Sequence, residues 1–252
     1  MTQTCPVFPR GPLNPAGPVR LVCLPFAGGN ATAYASLERA LADIAEVRVP
    51  ELPGRGTRFG EAFATDLPTV AAEIAGALRA MPQKPLVLFG HSLGTLIAYE
   101  VARTLAAAGG APRHLVLSGR RAPLTGEGPL AEEALTDAAL EARMRRLGGT
   151  PPELFAARDL LALVLPVVRA DYRLASQHVP DPTSQLLRLP ATILGGDADL
   201  DNPPGLLPGW GVWLGRAPAV QIWPGGHFFI RAQGERLAAL LRDVIAAEAP
   251  AP

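Results

Sequence analysis

Residues 86–100 read LVLFGHSLGTLIAYE. Four apolar residues run into Gly90, Ser92 stands at the centre of a G-x-S-x-G pattern closed by Gly94, and an apolar stretch with helical spacing follows. The first part reads as a buried strand and the last as a helix. A chain that passes from strand to helix so abruptly leaves no room for a side chain at the flanking glycines and pushes the central residue toward unfavourable backbone angles. The hydroxyl of Ser92 is then carried above the end of a sheet, at a helix N-terminus where peptide dipoles favour negative charge. That is the context of a nucleophile elbow, so Ser92 is the expected nucleophile.

The surrounding sequence repeats the strand-then-helix rhythm. Short apolar runs bounded by Gly or Pro lie at 20–26, 46–50, 85–90, 113–119, 190–196 and 219–225, and helical patterns at about 34–43, 66–80, 92–108 and 232–247, with a weaker one near 205–214. Strands apolar on both faces that alternate with helices predict an α/β fold, a mostly parallel sheet flanked by helices. The proline-rich first 19 residues read as an irregular lead-in. Between 120 and 189 the alternation stops. There PLAEEALTDAALEARMRRLGG is amphipathic, and RDLLALVLPVVRADYRLASQ is strongly apolar and expected to be interrupted at Pro166. The reading is one domain over 1–252 with a helical lid inserted at 120–189, closing over the C-terminal edge of the sheet.

Bulk properties exclude several classes. Lys plus Arg and Asp plus Glu are equal at 23 each in 252 residues, so no global field draws the chain to nucleic acid or an anionic membrane. The start, MTQTCPVFPRGPL, lacks a basic segment followed by an apolar one, and no apolar run has the length of a membrane span. A cytoplasmic protein is expected, acting as a monomer without metal or cofactor. Cys5 and Cys23 form neither a disulfide framework nor a ligand cluster, and Cys23 reads as a small buried hydrophobe.

A serine hydroxyl needs a base to take its proton. His91 adjoins Ser92 and reads as packing within the elbow, whereas His114 and His178 read as structural or solvated. His227, in QIWPGGHFFI after the last strand, leaves room for an acid between it and the serine in the chain order serine, acid, histidine. The acid is sought in GGDADLDNPP, which offers Asp197, Asp199 and Asp201. Three unpaired carboxylates cannot all be buried, so one should face the histidine while the others serve the turn or solvent. Asp199 is favoured, because a strand leaving the sheet needs a short turn before a side chain can swing toward the base; Asp197 remains an alternative. The glycine-bearing loop LPFAGGNATAY after the first strand is expected to lend the Ala27 N–H to an oxyanion hole, together with the N–H of Leu93.

With these residues assigned, the chain resembles an α/β-hydrolase, and more narrowly the type II thioesterases associated with polyketide and nonribosomal peptide synthetases. LPFAGGNATAY, ELPGRGTRFGE, FGHSLGTLIAYE, LSGRRAP and WPGGHFFI look like that family's signatures in its order. Leu93 departs from a frequent Met, and DNPPGLLPGWG from a more regular helix. The resemblance implies a stand-alone enzyme that hydrolyses acyl groups from the phosphopantetheine thiol of an acyl or peptidyl carrier protein, in an editing role. Rival readings are a medium-chain fatty acyl thioesterase, a generic carboxylesterase, and a silent carrier-binding module. The acyl pocket is expected to involve Phe26, Phe155, Leu163, Tyr172 and Phe228, and arginines 120, 121, 143, 145 and 146 are candidates for a basic patch that meets an acidic carrier helix.

Overall fold

The computed structural model describes residues 5–123, 129–178 and 186–249; parts of the insertion expected at 120–189 therefore lie outside the described residues. The apolar runs become β1 (Val19–Leu24), β2 (Ala45–Arg48), β3 (Leu86–His91), β4 (His114–Ser118), β5 (Ala191–Gly196) and β6 (Ala219–Trp223). They form one sheet in the order β2-β1-β3-β4-β5-β6, with each neighbouring pair parallel. The helices are α1 (Ala35–Leu41), α2 (Leu67–Arg79), α3 (Leu93–Ala107), α4 (Asp137–Leu147), α5 (Pro152–Ala156), α6 (Arg158–Gln177), α7 (Trp210–Leu214), α8 (Phe229–Ala232) and α9 (Gly234–Glu248).

Alternate side chains of β1 serve opposite faces, as a pleated strand requires. Val22 and Leu24 join Ile74 of α2, Leu96 and Ile97 of α3 and Trp210 of α7 in one core layer. Leu21 and Cys23 join Leu37 and Leu41 of α1 and Leu237, Leu241 and Ile245 of α9 in the other. Burial, with Glu38 adding to it, pushes the Cys23 thiol far above its usual range, so this cysteine stays a neutral apolar filler. The chain builds outward from β1 to β2 and then returns to place β3 on β1's other side. Such a reversal opens a crevice at the carboxyl ends of the two central strands, where the loops after β1 and β3 diverge.

Two local expectations are corrected. Pro166 does not interrupt α6, which runs through it unbroken. Both Pro166 and Ala162, whose carbonyl loses its donor to the proline ring, lie on the exposed face, so water can satisfy that carbonyl while Leu161, Leu165 and Val168 hold both halves of the helix to a common apolar surface. The weak pattern near 205–214 is a 3-10 turn over Pro204–Gly209 that hands over to the short α7. The pattern at 232–247 is met by α9, which the one-turn α8 precedes.

The insertion carries a small core of its own, in which Leu140 and Met144 of α4 and Phe155 of α5 meet Leu161, Leu165 and Val168 of α6. Thr136 caps α4 by accepting the Ala139 N–H, and Gly148 closes it at φ 74. Further along α6, Leu174 and Ala175 leave that small core and join the main one, which seats the insertion on α3. Among the described residues no helix is long and apolar enough to cross a membrane.

Candidate active site

Ser92 sits between β3 and α3 at φ 56, ψ −114, a conformation that costs a non-glycine residue on the order of 1–3 kcal/mol. The cause is backbone crowding. A Cβ on Gly90 would overlap the Gly94 carbonyl, and one on Gly94 would overlap the Leu24 carbonyl at the end of β1. The strain is held by bonds to β4: the Ser92 N–H donates to the Ser118 carbonyl at 2.8 Å. The Thr95 hydroxyl lies 2.8 Å from that same carbonyl and 3.0 Å from the Gly90 carbonyl, and it accepts the Ser118 N–H at 3.2 Å. Thr95 and Ser118 were not singled out in the sequence; the threonine directly after GHSLG was the available signal.

His227 reaches the elbow from the loop after β6. Its Nε2 lies 3.0 Å from Ser92 Oγ, and its Nδ1 lies 2.8 Å from Asp199 Oδ2. Because a carboxylate only accepts, Nδ1 carries the ring proton and Nε2 is left to accept from the serine. Asp199 is 3% exposed. Its Oδ1 accepts the backbone N–H groups of Asp201 at 3.1 Å and Asn202 at 3.2 Å, while the Asn202 side-chain amide donates to Oδ2 at 3.4 Å.

The three aspartates have separate tasks. Asp197, on the surface, accepts the Gly225 N–H at 2.9 Å and so ties the acid loop to the histidine loop. Asp201 accepts from Arg143 at 3.0 Å and from Arg146, linking the acid loop to α4. Desolvation alone would raise the Asp201 carboxyl, but the two guanidiniums outweigh it and hold it below its usual range.

The remaining histidines have structural partners. His91 Nδ1 lies 3.0 Å from Ser118 Oγ, and burial, reinforced by His227 and Arg231, drives its pKa well below the ordinary value, so the ring stays neutral under the triad. His114 contacts Thr192 at 3.0 Å, and His178 contacts Glu100 at 3.1 Å, pinning the end of α6 to α3.

The loop after β1 turns at residues 26–29, where the Gly29 N–H donates to the Phe26 carbonyl at 2.8 Å and Gly28 adopts φ 77. Gly28 donates its own N–H to Asp171 Oδ2 of α6 at 2.7 Å. The N–H groups of Ala27 and Leu93 have no protein acceptor among the described residues. Leu93 is the first residue of α3, where backbone donors are unpaired within the helix.

Ser92 and His227 open into a cavity of about 280 Å³. Leu96, Ala122, Leu147 and Ala175 supply apolar wall, and Arg120, Arg121 and Arg143 a cationic one. Tyr172 lines it beneath the Arg143 guanidinium. Four pocket expectations are corrected. Phe155 is buried in the insertion's own core under Arg145, because α5 turns its apolar face to α4 and α6. Leu163 is 58% exposed on the outer face of α6. Phe26 and Phe228 pack edge to face at 5.0 Å, with Phe228 against the rings of His91 and His227, and neither lines the cavity. The basic patch is also corrected in part. Arg143 and Arg146 are engaged by Asp201, which fastens α4 to the acid loop, and Arg145 pairs with Glu141 one turn earlier on the same helix.

Residues 19–247 match the family described as Thioesterase domain. The chain is 33% identical over 240 residues to the thioesterase PikA5 of Streptomyces venezuelae, covering 94% of this chain and 85% of that protein. It is likewise 33% identical over 231 residues to linear gramicidin dehydrogenase LgrE of Brevibacillus parabrevis, covering 90% and 88%. Among solved structures, the type II thioesterase BorB from the borrelidin biosynthetic cluster superposes with a TM-score of 0.85 at 31% identity, covering 97% of this chain and all of that one.

Proposed function

The chain belongs to the thioesterase domain family, whose α/β-hydrolase fold it shares, and from that premise we propose that it hydrolyses acyl thioesters carried on the phosphopantetheine arm of acyl or peptidyl carrier proteins, in the editing role of type II thioesterases. The observation that carries the reading is the chain of contacts from Ser92 Oγ to His227 Nε2, at 3.0 Å, and from His227 Nδ1 to Asp199 Oδ2, at 2.8 Å, at the carboxyl end of the sheet.

In this reading Ser92 Oγ attacks the thioester carbonyl while His227 Nε2 takes its proton. Asp199 keeps the ring in the required tautomer and offsets the imidazolium charge. The oxygen of the tetrahedral intermediate is met by the N–H groups of Ala27 and Leu93 and by the positive end of α3. Collapse breaks the C–S bond. The departing sulfur takes the proton held on His227 and leaves as free thiol, which returns the ring to its neutral form; because a thiol has a pKa of about 8.5, far below that of an alcohol, bond breaking does not wait on that transfer. Water enters, gives its proton to His227 and attacks the acyl-serine, which releases the free acid and restores Ser92.

The size of the cavity supports short acyl groups, since about 280 Å³ stands at the small end of ligand pockets. The segment from α4 to α6 acts as the lid of that cavity, and Arg120 and Arg121 suit the polar arm better than an acyl tail. The test is hydrolysis of an acyl-carrier thioester beside a p-nitrophenyl ester of the same acyl group. Parent enzyme should favour the thioester and folded Ser92→Ala should lose both activities; near-parental turnover by Ser92→Ala would end the reading.

A further inference from the structure

Arg55 and Asp171 lie 116 residues apart and meet in the interior, 6% and 1% exposed. Arg55 Nη1 and Nη2 donate to Asp171 Oδ2 and Oδ1, each at 2.6 Å, as a two-pronged fork. The same carboxylate accepts the Gly28 N–H at 2.7 Å, and Arg55 Nη1 also reaches the Gly29 carbonyl at 3.3 Å. One ion pair therefore grips two successive residues of the turn at 26–29 through the N–H of one and the carbonyl of the next. With Gly28 at positive φ the turn is of type II, and Asp171 on the Gly28 N–H opposes a flip of its central peptide. The Ala27 N–H belongs to the same peptide plane as the Phe26 carbonyl that accepts the closing bond of this turn. Whatever holds the turn closed also aims that N–H.

Fold stability does not by itself call for this arrangement, because a buried ion pair can often be replaced by apolar residues without loss. We propose that Arg55 and Asp171 are positioning residues for the oxyanion hole, with Asp171 making the aim of the Ala27 N–H depend on α6 being seated. The inference rests on the reading of Ser92 as nucleophile and Ala27 as oxyanion donor. Any displacement of α6 would carry Asp171 with it and release the turn, so the aim of the Ala27 N–H requires α6 in place.

The test uses the double variant Arg55→Met, Asp171→Leu, an apolar pair of comparable bulk, together with the single variants Asp171→Asn and Arg55→Lys. Three readouts are followed on the full chain: kcat and KM for a short acyl-pantetheine thioester, affinity for a short alkylboronic acid, which adds to Ser92 as a tetrahedral anion, and the downfield proton resonance of His227 Nδ1–H. The double variant should lose about 10²-fold in kcat, the scale of one oxyanion donor, and a similar factor in boronate affinity. KM should change by less than about threefold and the histidine resonance should persist, because the loss is confined to the transition state. Asp171→Asn, whose amide oxygen can still accept from Gly28, should recover to within about tenfold of parent. Should the double variant fail to fold, Arg55→Lys carries the test with an expected loss of about tenfold in kcat and an intact resonance. Parental kcat and boronate affinity in a folded variant would overturn the proposal, as would a loss accompanied by disappearance of the histidine resonance. Failure of the underlying reading would show separately, as turnover retained by Ser92→Ala.

Discussion

Replacing Asp199 by Asn exchanges one carboxylate oxygen of a buried side chain for an NH₂ group without changing its shape, and the structure dictates how the amide will sit. Oδ1 faces the N–H groups of Asp201 and Asn202, both donors, whereas Oδ2 faces His227 Nδ1. The amide oxygen must take the Oδ1 position, since an NH₂ there would oppose two backbone donors. The NH₂ is thus turned toward Nδ1 and donates to it. The ring proton moves to Nε2, and that nitrogen, now a donor, can no longer accept the proton of the Ser92 hydroxyl. A triad locked in this tautomer loses about 10⁴-fold in kcat, which corresponds to about 5.4 kcal/mol of barrier. The assay is release of free thiol from an acyl-pantetheine thioester, with the folded fraction measured by circular dichroism and the tautomer by ¹⁵N chemical shifts of the imidazole. Asp197→Asn should cost much less, because that side chain only joins two loops. A folded Asp199→Asn enzyme within tenfold of parent, with Asp197→Asn the more damaged of the two, would refute the assignment and pass the role to Asp197.

Further outcomes follow from other contacts. Gly94→Ala should destabilise by about 3 kcal/mol, because its Cβ would press on the Leu24 carbonyl, backbone that cannot move aside; a denaturant midpoint equal to parent would contradict this. Asp201 has its folded pKa below the ordinary aspartate value of about 3.9, so the stability from its bridges to Arg143 and Arg146 is fully present above that pH and fades as pH falls through the lower folded value. Asp201→Asn should remove about 1 kcal/mol at neutral pH, a figure already reduced for solvent screening at this half-open site, and should flatten the acid limb of the stability curve; unchanged acid slopes in urea titrations would count against it. Ala175→Leu should narrow the cavity beside Ser92 and lower kcat/KM for a medium-chain acyl thioester by about tenfold or more while leaving the acetyl thioester within about threefold. Equal losses on both chain lengths would mean that Ala175 does not bound the acyl site.

The expectations that met the geometry best are those carried by short stretches in which backbone sterics decide the outcome. The two glycines around Ser92 are demanded by neighbouring carbonyls, and WPGGH places His227 on a tight loop for the same reason, since a Cβ on Gly196 would overlap the carbonyls of Gly225 and Gly226. The choice among Asp197, Asp199 and Asp201 was open in the sequence. It turns on which side chain points inward, a property of the loop after β5 and of the donors that meet it there.

The pocket was poorly legible for a different reason. Apolar residues of α5 and α6 look alike in sequence whether they face substrate, solvent or each other. Which outcome applies depends on how the helices of the insertion rotate against one another, and that rotation buries Phe155 and exposes Leu163. The arginines of α4 posed the same problem, because partners 55 and 58 residues away in Asp201 cannot be read from local charge pattern.

By itself the sequence determined the parallel α/β scaffold, the elbow at Ser92 and the loop of His227, because each rests on interactions between residues close along the chain or on hydrophobic periodicity. Only the tertiary structure decided which aspartate meets the histidine, which side chains line the cavity, and that Asp171 of α6 reaches the turn at 26–29. Those are contacts between distant segments whose energies depend on orientation and burial, and neither is defined until the layers have packed.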